Sequence, residues 1–379
     1  MDNQNIIVRQ ATINDKDKIW SFLELAYKKY SCYKFPDRWN WQYLNNPNWK
    51  DSDLPIWIAI KNGEIIGQSN ALFSKIKFKE KIINAGWSTD TVILPEFRGC
   101  GIGTRLQDCK VKNIKNLMAI NTVNYNRKIY SKLGAKPGNS VIVLKKYFYI
   151  NKYMISESLM YRTRKNRILN KLILFYIKFF FVHAIIAFVL NKIIYIRNRF
   201  KKKLIKNIDK VDIVEVEKFD SEIDQLWERV KNDYSICSIR KHKELNWKFF
   251  SQPHVNYRFF VAKKGNKVLG YSILRKSVPP EKEKLIIADL FGSKYDGYIF
   301  NALIRHAVDL FKDKVRYIEC ATSINVIKQN LINNGFIISN TEVPMFYSGE
   351  INDWEKLLGK KDSWFLSKSS SDWDQYPYG

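Results

Sequence analysis

The stretch VILPEFRGCGIGTRL, residues 92–106, places three glycines at every second position behind a β-branched run. Upstream, GWSTDTVIL (86–94) has the composition of a strand, and downstream, GTRLQDCKVKNIKNLM (103–118) has the spacing of a helix. The glycines are therefore predicted to lie at a strand-to-helix turn. The free N–H groups of such a turn point at an anion beside the positive helix end, which is the geometry that a diphosphate requires.

The full context V-I-L-P-E-F-R-G-C-G-I-G resembles motif A of the GNAT superfamily of acyl-CoA-dependent N-acyltransferases, whose signature is Arg/Gln-x-x-Gly-x-Gly/Ala. A Rossmann or Walker A site would need an acidic residue or a Gly-Lys-Ser/Thr that is missing here. The resemblance implies acetyl-CoA as the acyl donor and no metal, and it implies that backbone N–H groups near Val92 and Ile93 polarise the thioester carbonyl. The residues that it implies around the CoA diphosphate are Arg98, Gly99, Cys100, Gly101, Ile102, Gly103 and Thr104.

A second segment, NYNRKIYSKLGA from Asn124, looks like the motif B helix of the same family. The resemblance implies that Asn124 contacts the pantetheine arm and that Tyr130 protonates the departing CoA thiolate, since a phenol and a thiolate have similar basicity. Asn126 is an alternative for the first role. The alternative for Tyr130 is an aromatic at the core edge of an amphipathic helix.

Asp90 stands on the strand before the glycines, where the family often carries a carboxylate that takes the proton of the amine nucleophile. Strand alternation puts Asp90 on one face with Val92 and Leu94, so the carboxylate is predicted to face the acyl cleft. The alternative is a strand-end acid that is solvated or paired with a cation. Trp39 and Trp41 lie in the region that forms the acceptor wall in this family, and we expect both to fill the core.

The sequence contains two similar halves. WNWQYLNNPNWKDSDLPIWIAIKNGEIIGQ from Trp39 parallels LNWKFFSQPHVNYRFFVAKKGNKVLGY from Leu245, and NYNRKIYSKLGA parallels NVIKQNLINNGF at an offset of 201 residues. This predicts a tandem duplication. The second half keeps Asp289 in step with Asp90 but has no glycine signature, and Leu331 replaces Tyr130, so we expect a degenerate copy without CoA.

The predicted fold class is α+β (α/β): two tandem GNAT-like mixed β-sheet domains joined by a basic hydrophobic helical linker. The predicted boundaries are 1–150 for the catalytic domain, 151–210 for the linker and 211–379 for the degenerate domain with its tail.

The linker holds much of the net charge of +27, with fifteen Lys/Arg against two acids between residues 151 and 210. It contains the apolar run LILFYIKFFFVHAIIAFVL (172–190) between basic flanks. An in-plane or shallowly inserted helix that grips an anionic membrane surface through 162–203 explains this pattern better than a membrane span does. The alternative is a buried helix between the domains.

Scattered cysteines and the absence of a signal-peptide pattern predict a cytoplasmic protein with free thiols, peripheral to the inner face of the membrane in the membrane-bound case. The tail DSWFLSKSSSDWDQYPYG (362–379) resembles the acidic endings of acyltransferase-like proteins of bacterial surface-polysaccharide loci. It is predicted to fold back on the cleft, with Asp372 and Asp374 near the acceptor.

The favoured function is acetyl transfer to an amine, with an amino sugar as the acceptor, either as a small molecule or linked to a lipid. One alternative is an aminoacyl transferase of the Fem type that uses charged tRNA, which the positive charge suits. The intact RGCGIG argues against that alternative and makes nucleic acid an unexpected partner. The other alternative is a non-catalytic, membrane-associated CoA-binding scaffold.

Overall fold

The structure is a computed structural model that describes residues 5–150, 180–203, 211–277 and 283–375. The described chain forms two mixed β-sheets with helices packed on them. The strands are β1 (Ile6–Gln10), β2 (Ile56–Lys61), β3 (Glu64–Phe78), β4 (Lys81–Ile93), β5 (Asn116–Ala119), β6 (Lys136–Pro137), β7 (Val141–Tyr147), β8 (Asp212–Val216), β9 (Ile236–Ser238), β10 (Tyr257–Lys264), β11 (Lys267–Lys276), β12 (Lys284–Gly292), β13 (Tyr317–Thr322), β14 (Ile337–Glu342) and β15 (Met345–Ser348).

The helices lie between these strands in a similar order in each half. They are α1 (Lys16–Tyr27), α2 (Asp37–Trp39), α3 (Ile102–Asn113), α4 (Asn124–Lys132), α5 (Phe180–Lys203), α6 (Ser221–Val230), α7 (His242–Leu245), α8 (Gly297–Phe311), α9 (Asn325–Asn333) and α10 (Glu355–Leu358). Short π-helical turns, Asn40–Leu44 and Asn246–Phe250, extend α2 and α7. This mixed α/β, two-domain layout confirms the predicted fold class.

Each sheet contains strands from both halves of the sequence. The first sheet has the order β1-β2-β3-β4-β5-β15-β6, and β9 also pairs with β3; the second has the order β14-β7-β13-β12-β11-β10-β8. Thus β7, from the first half of the sequence, lies between β13 and β14, while β15, from the second half, lies between β5 and β6. Sheet membership therefore does not follow the boundary predicted at residue 150, because each sheet is completed by a strand of the other half.

The two halves also meet through their π-helical turns. The indole of Trp41 stacks on that of Trp247 at a centroid distance of 5.1 Å, and Trp41 Nε1 donates to the Trp247 carbonyl oxygen at 2.9 Å. Trp39 and Trp41 are both buried, as expected for core residues. This contact and the exchanged strands join the two halves.

Two local predictions differ from the structure. The helix after the glycine turn was predicted to reach residue 118, but it ends at Asn113, because the apolar run that follows becomes the buried strand β5 beside β4. Of the predicted linker, residues 151–179 and 204–210 lie outside the described residues, and 180–203 form α5. Among the described helices, none has the length and apolar character that a membrane crossing requires.

Candidate functional site

The candidate site lies where β4 and β5 stop pairing. These parallel strands pair only at Gly86 with Leu117 and at Trp87 with Met118, although β4 continues to Ile93. Beyond Trp87 the two strands leave an opening in the sheet. A cavity of about 260 Å³ fills this opening, and its lining residues are Tyr27, Lys34, Ser88, Thr89, Asp90, Thr91, Ile120, Asn121, Thr122, Val123, Asn126 and Asp372.

The glycine turn follows β4 after a short 3₁₀ turn, Pro95–Phe97. Gly99 and Gly101 have φ values of 84° and 76°, and a Cβ on either would meet nothing within 4 Å, so their backbone conformation rather than crowding calls for glycine. Gly101 precedes the first residue of α3, whose first-turn N–H groups have no partner within the helix. The predicted strand–turn–helix geometry is present, and it fits a diphosphate at the positive end of α3.

A bulge in β4 sets the carboxylate of Asp90 apart from the regular strand. Asn70 pairs with Thr89 and Gln68 with Val92, so Ser69 faces two residues, Asp90 and Thr91. Asp90 has a φ of 41°, a conformation that non-glycine residues rarely adopt. The bulge thus turns the Asp90 side chain toward the cavity.

The same strand offers one backbone donor to the opening. Leu94 N–H donates to the Ile66 carbonyl in β3, so alternation along β4 turns the Ile93 N–H away from β3, toward the open side, and the Val92 N–H toward β3. Two backbone N–H groups, those of Val92 and Ile93, were predicted to polarise the thioester carbonyl. Of these, only the Ile93 N–H points toward the opening.

Asp90 is held by a buried ion pair. Its Oδ1 lies 2.5 Å from Lys34 Nζ and accepts a hydrogen bond from Tyr27 Oη at 3.1 Å. Burial alone would raise the pKa of Asp90, but the charges of Lys34 and Arg38 outweigh burial and lower it. Asp90 is therefore a paired, ionised group, and a lowered pKa makes a carboxylate a weak proton acceptor.

The tail brings a second carboxylate into this cavity. Every residue from 363 to 375 is buried. Asp372 lines the cavity, and its Oδ2 lies 3.8 Å from Arg38 Nη2. Burial and then the negative charge of Asp90 raise the pKa of Asp372. Two neighbouring carboxyls with oppositely shifted pKa values mark Asp372 as the better proton acceptor.

Before it reaches Asp372, the tail fills the equivalent opening of the second sheet. β12 and β13 pair only from Lys284–Tyr317 to Ile287–Cys320, and the tail occupies the gap beyond. There Ser367 bridges Thr322, and Ser367 Oγ donates to Asp289 Oδ1 at 2.8 Å. The tail thus takes up the space in the second domain that corresponds to the candidate site of the first.

The structure separates the predicted motif B residues. Asn124 is exposed, whereas Asn126 lines the cavity, so the geometry favours Asn126 for contact with a ligand. Tyr130 is buried, and its hydroxyl lies 2.5 Å from the Ser88 hydroxyl, which itself lines the cavity. Tyr130 therefore lies behind the cavity wall, and Ser88 stands between its hydroxyl and the opening.

Sequence reasoning missed four residues that build this site. Lys34 and Arg38 pair with the two carboxylates, Ser88 supplies the wall hydroxyl, and Lys110 lies fully buried behind it. Lys110 follows Ile102 and Leu106 at intervals of four, which is the one sequence signal that places it on the buried face of α3. Within the described ranges, no group of three or more potential metal ligands is present.

Comparison with known proteins agrees with this geometry. Residues 7–138 match the family model of the acetyltransferase (GNAT) domain. No curated protein sequence matches the chain.

Similar solved structures include a GCN5-related N-acetyltransferase from Anabaena variabilis, with 12% identity over 90% of this chain and 72% of that chain and a TM-score of 0.53. A conserved protein from Enterococcus faecalis V583 has 9% identity over 91% and 73%, with a TM-score of 0.55. Saccharomyces cerevisiae N-myristoyltransferase with bound myristoyl-CoA has 8% identity over 92% and 83%, with a TM-score of 0.51. At these identities the likeness shows a shared fold. Residues 7–138 thus form an acetyltransferase (GNAT) domain, which is an acyltransferase domain.

Proposed function

We propose that the chain transfers an acetyl group from acetyl-CoA to an amine by direct attack. The observation that carries the proposal is the opening between β4 and β5, which is lined by Asp90 and Asp372, on the strand that the glycine turn and α3 follow. The turn suits the CoA diphosphate, and the opening suits the thioester end. A cavity of about 260 Å³ has room for an acetyl group and a small part of an acceptor.

The proposed step needs one proton acceptor and one proton donor. The amine nitrogen attacks the thioester carbonyl carbon, the C–S bond breaks with its electron pair on sulfur, and the nitrogen loses a proton. Asp372 takes that proton, while Asp90 stays paired with Lys34. The sulfur takes a proton from the hydroxyl groups of the β4 wall, where Ser88 is in contact with Tyr130.

A titration of acetyl-CoA into the full chain tests the diphosphate site. In Thr104→Glu a carboxylate enters the first turn of α3, where it favours the helix but repels a diphosphate. Ser221→Glu adds the same charge to the first turn of α6 and serves as the matched control. We expect Thr104→Glu to weaken binding about tenfold or more and Ser221→Glu to leave it unchanged. Wild-type protein that fails to bind acetyl-CoA would contradict the proposal and favour a charged-tRNA donor.

The proposed acceptor is an amino sugar. The acceptor wall runs from Tyr27 to Lys34 and carries the half-buried aromatics Tyr30 and Tyr33; the Tyr33 ring lies 5.7 Å from that of His254 in the second half. Aromatic faces beside polar groups suit a sugar, and the tail resembles proteins of surface-polysaccharide loci. The test is to measure release of the CoA thiol with nucleotide-linked amino sugars, with free amino acids and with peptides as acceptors. Faster release with the amino sugars would support the proposed acceptor class.

The proposal extends to an anionic membrane surface next to α5. This helix leaves apolar side chains exposed between Ile185 and Ile196, and its sequence ends in the basic run RNRFKKK. Those exposed side chains are Ile185, Ile186, Phe188, Val189, Ile193 and Ile196.

Such a helix suits the headgroup boundary, with apolar residues inserted and basic residues on anionic lipids. We expect the double variant Phe188→Asn/Ile193→Asn to lose co-sedimentation with vesicles of phosphatidylglycerol and phosphatidylcholine. Ile82→Asn, at an exposed isoleucine of β4, is the control that should still bind. Equal sedimentation of all three proteins would contradict a membrane role for α5.

We also infer that the two halves arose by tandem duplication. Each half has, in the same order, a π-helical turn, a strand with an aspartate at the sheet opening, and a helix, of which α4 and α9 begin 201 residues apart. The exchange of β7 and β15 is reciprocal, as a two-fold relation between similar units would make it. The tail that fills the second opening supports a degenerate second copy.

A further inference from the structure

Lys110 is a buried lysine that the proposed reaction has not used. It is fully buried on α3, and its Nζ donates to Ser88 Oγ at 2.7 Å, to Ser69 Oγ at 2.8 Å and to Tyr130 Oη at 3.4 Å. An ammonium has three donors, and the pocket offers it three hydroxyl oxygens. Among the described residues, no carboxylate forms an ion pair with Lys110.

A buried ammonium without a counter-ion gives up its proton readily. Burial lowers the pKa of Lys110 well below its ordinary value, and no charged neighbour opposes the effect in the part of the chain that the structure describes. The groups that face Nζ are Ser69 from β3, Ser88 from β4, and Tyr130 from α4, and only Tyr130 among them is titratable. Lysines with such lowered pKa values are suited to acid–base work near neutral pH.

The hydrogen-bond directions in this cluster lead from Lys110 to Ser88, which lines the cavity, and on to Tyr130 and Gln107. Tyr130 Oη donates to Gln107 Oε1 at 3.0 Å, and a carbonyl oxygen can only accept, so the single Tyr130 proton is already engaged. Ser88 must then donate to Tyr130 Oη at 2.5 Å, while its oxygen accepts from Lys110. The cavity thus meets a hydroxyl, Ser88, that has an ammonium directly behind it.

We propose that Ser88 and Lys110 form the proton relay that protonates the departing CoA thiolate, with Tyr130 as a positioning residue that orients Ser88. This inference rests on the proposed acyl transfer. As the C–S bond breaks and its electron pair moves to sulfur, the Ser88 hydroxyl turns from Tyr130 Oη toward sulfur and gives it the proton, and a Lys110 proton passes to the Ser88 oxygen. Lys110 is left as a neutral amine and regains a proton from solvent water through the same hydroxyl after the products leave.

Single-turnover and steady-state rates of the full chain test the relay. We expect Ser88→Ala and Lys110→Met each to lower kcat about 100-fold at neutral pH, with the KM for acetyl-CoA changed less than about threefold. The double variant should lose no more than either single variant, because both belong to one relay. Lys112→Met, on the exposed side of the same helix, is the matched control that should keep the wild-type rate.

Two further measurements separate a relay from a structural role. Ser69 and Ser88 contact the same lysine, but only Ser88 lines the cavity, so Ser69→Ala should lose at least tenfold less rate than Ser88→Ala. A pH titration of ¹³Cε-labelled lysine by NMR should show a resonance with a lowered pKa that is absent from Lys110→Met and present in Lys112→Met. This second readout depends on the protonation of Lys110 and not on turnover.

The relay and the proposed acyl transfer are contradicted by different results. Equal losses in Ser69→Ala and Ser88→Ala, a larger loss in Tyr130→Phe than in Ser88→Ala, or the absence of the shifted lysine resonance would each overturn the relay while leaving acyl transfer in place. A wild-type protein that binds acetyl-CoA but releases no thiol with any amine would overturn the proposed function, and the relay with it.

Discussion

Asp90 and Asp372 line the same cavity from two distant parts of the chain, and their pKa values are shifted in opposite directions. Asp90, on β4, is held ionised by the cations of Lys34 and Arg38. Asp372, on the tail, is the carboxyl whose proton affinity is increased by burial and by the charge of Asp90. Asp90 is thus the residue that pairs with Lys34, and Asp372 is the proton acceptor.

The first prediction concerns the rate of Asp372→Asn. We expect kcat to fall about 100-fold, because the amide cannot take the amine proton. A base works only when ionised, so the wild-type rate should rise with pH through the raised pKa of Asp372, above the ordinary aspartate value of 3.8. The variant should lose this rise, and a pH–rate profile of thiol release measures both effects.

Asp374→Asn provides the matched control for Asp372→Asn. Asp374 lies on the same buried tail, but its Oδ2 accepts a hydrogen bond from Tyr257 Oη at 2.8 Å in the second domain. Equal loss of rate in the two variants would show that the tail aspartates hold the fold and do not accept the proton.

The second prediction concerns the stability of Asp90→Asn. The variant leaves the Lys34 ammonium buried at 2.5 Å from a neutral group, and removal of one member of a buried ion pair costs about 3 kcal/mol or more in free energy of unfolding. Asp372→Asn should cost less than Asp90→Asn, because the Asp372–Arg38 contact is longer, at 3.8 Å, and burial and the charge of Asp90 raise the pKa of Asp372 and so disfavour its ionised form. Urea unfolding followed by tryptophan fluorescence compares the two. An Asp90→Asn variant with wild-type stability and no activity would make Asp90 the base, as the sequence predicted.

The glycine turn could be predicted from sequence because its physical causes are local. The conformations of Gly99 and Gly101, the end of β4 and the start of α3 depend on residues within one short segment. Alternation along one strand predicted that the aspartate of β4 faces the cleft, but in the structure a bulge at Asp90, which alternation does not describe, turns the side chain there.

The exchange of β7 and β15 could not be predicted in this way. The two strands occupy equivalent places in similar units, and an alternating strand pattern fits either sheet equally well. The partners of Asp90 and the path of the tail depend on contacts between residues far apart in sequence, which a local pattern does not record. The sequence did not predict that Lys110 lies at the site, because a lysine on a helix is ordinarily exposed.

The third prediction concerns acid stability and Glu319 on β13. Its carboxylate lies 3.1 Å from Lys145 Nζ on the exchanged strand β7 and 2.6 Å from Lys368 Nζ on the tail. Burial alone would raise the pKa of Glu319, but the charges of Lys368 and Lys145 outweigh burial and lower it from 4.5 to about 2. Glu319 thus links the exchanged strand β7 and the tail to the second sheet through two ion pairs.

A group whose pKa is lower in the folded state stabilises that state fully above its unfolded pKa. The contribution of Glu319 should therefore be present above pH 4.5 and be lost as the pH falls toward 2. Glu319→Gln should be less stable than wild type at pH 7, and the difference should shrink as the pH falls through this window. Unfolding free energies at pH 7, 4.5 and 3 measure it, with Glu64→Gln, at an exposed hairpin glutamate, as the control. A Glu319→Gln variant that matches wild type at every pH would show that the Lys145–Glu319–Lys368 contacts contribute nothing to holding the exchanged strand and the tail.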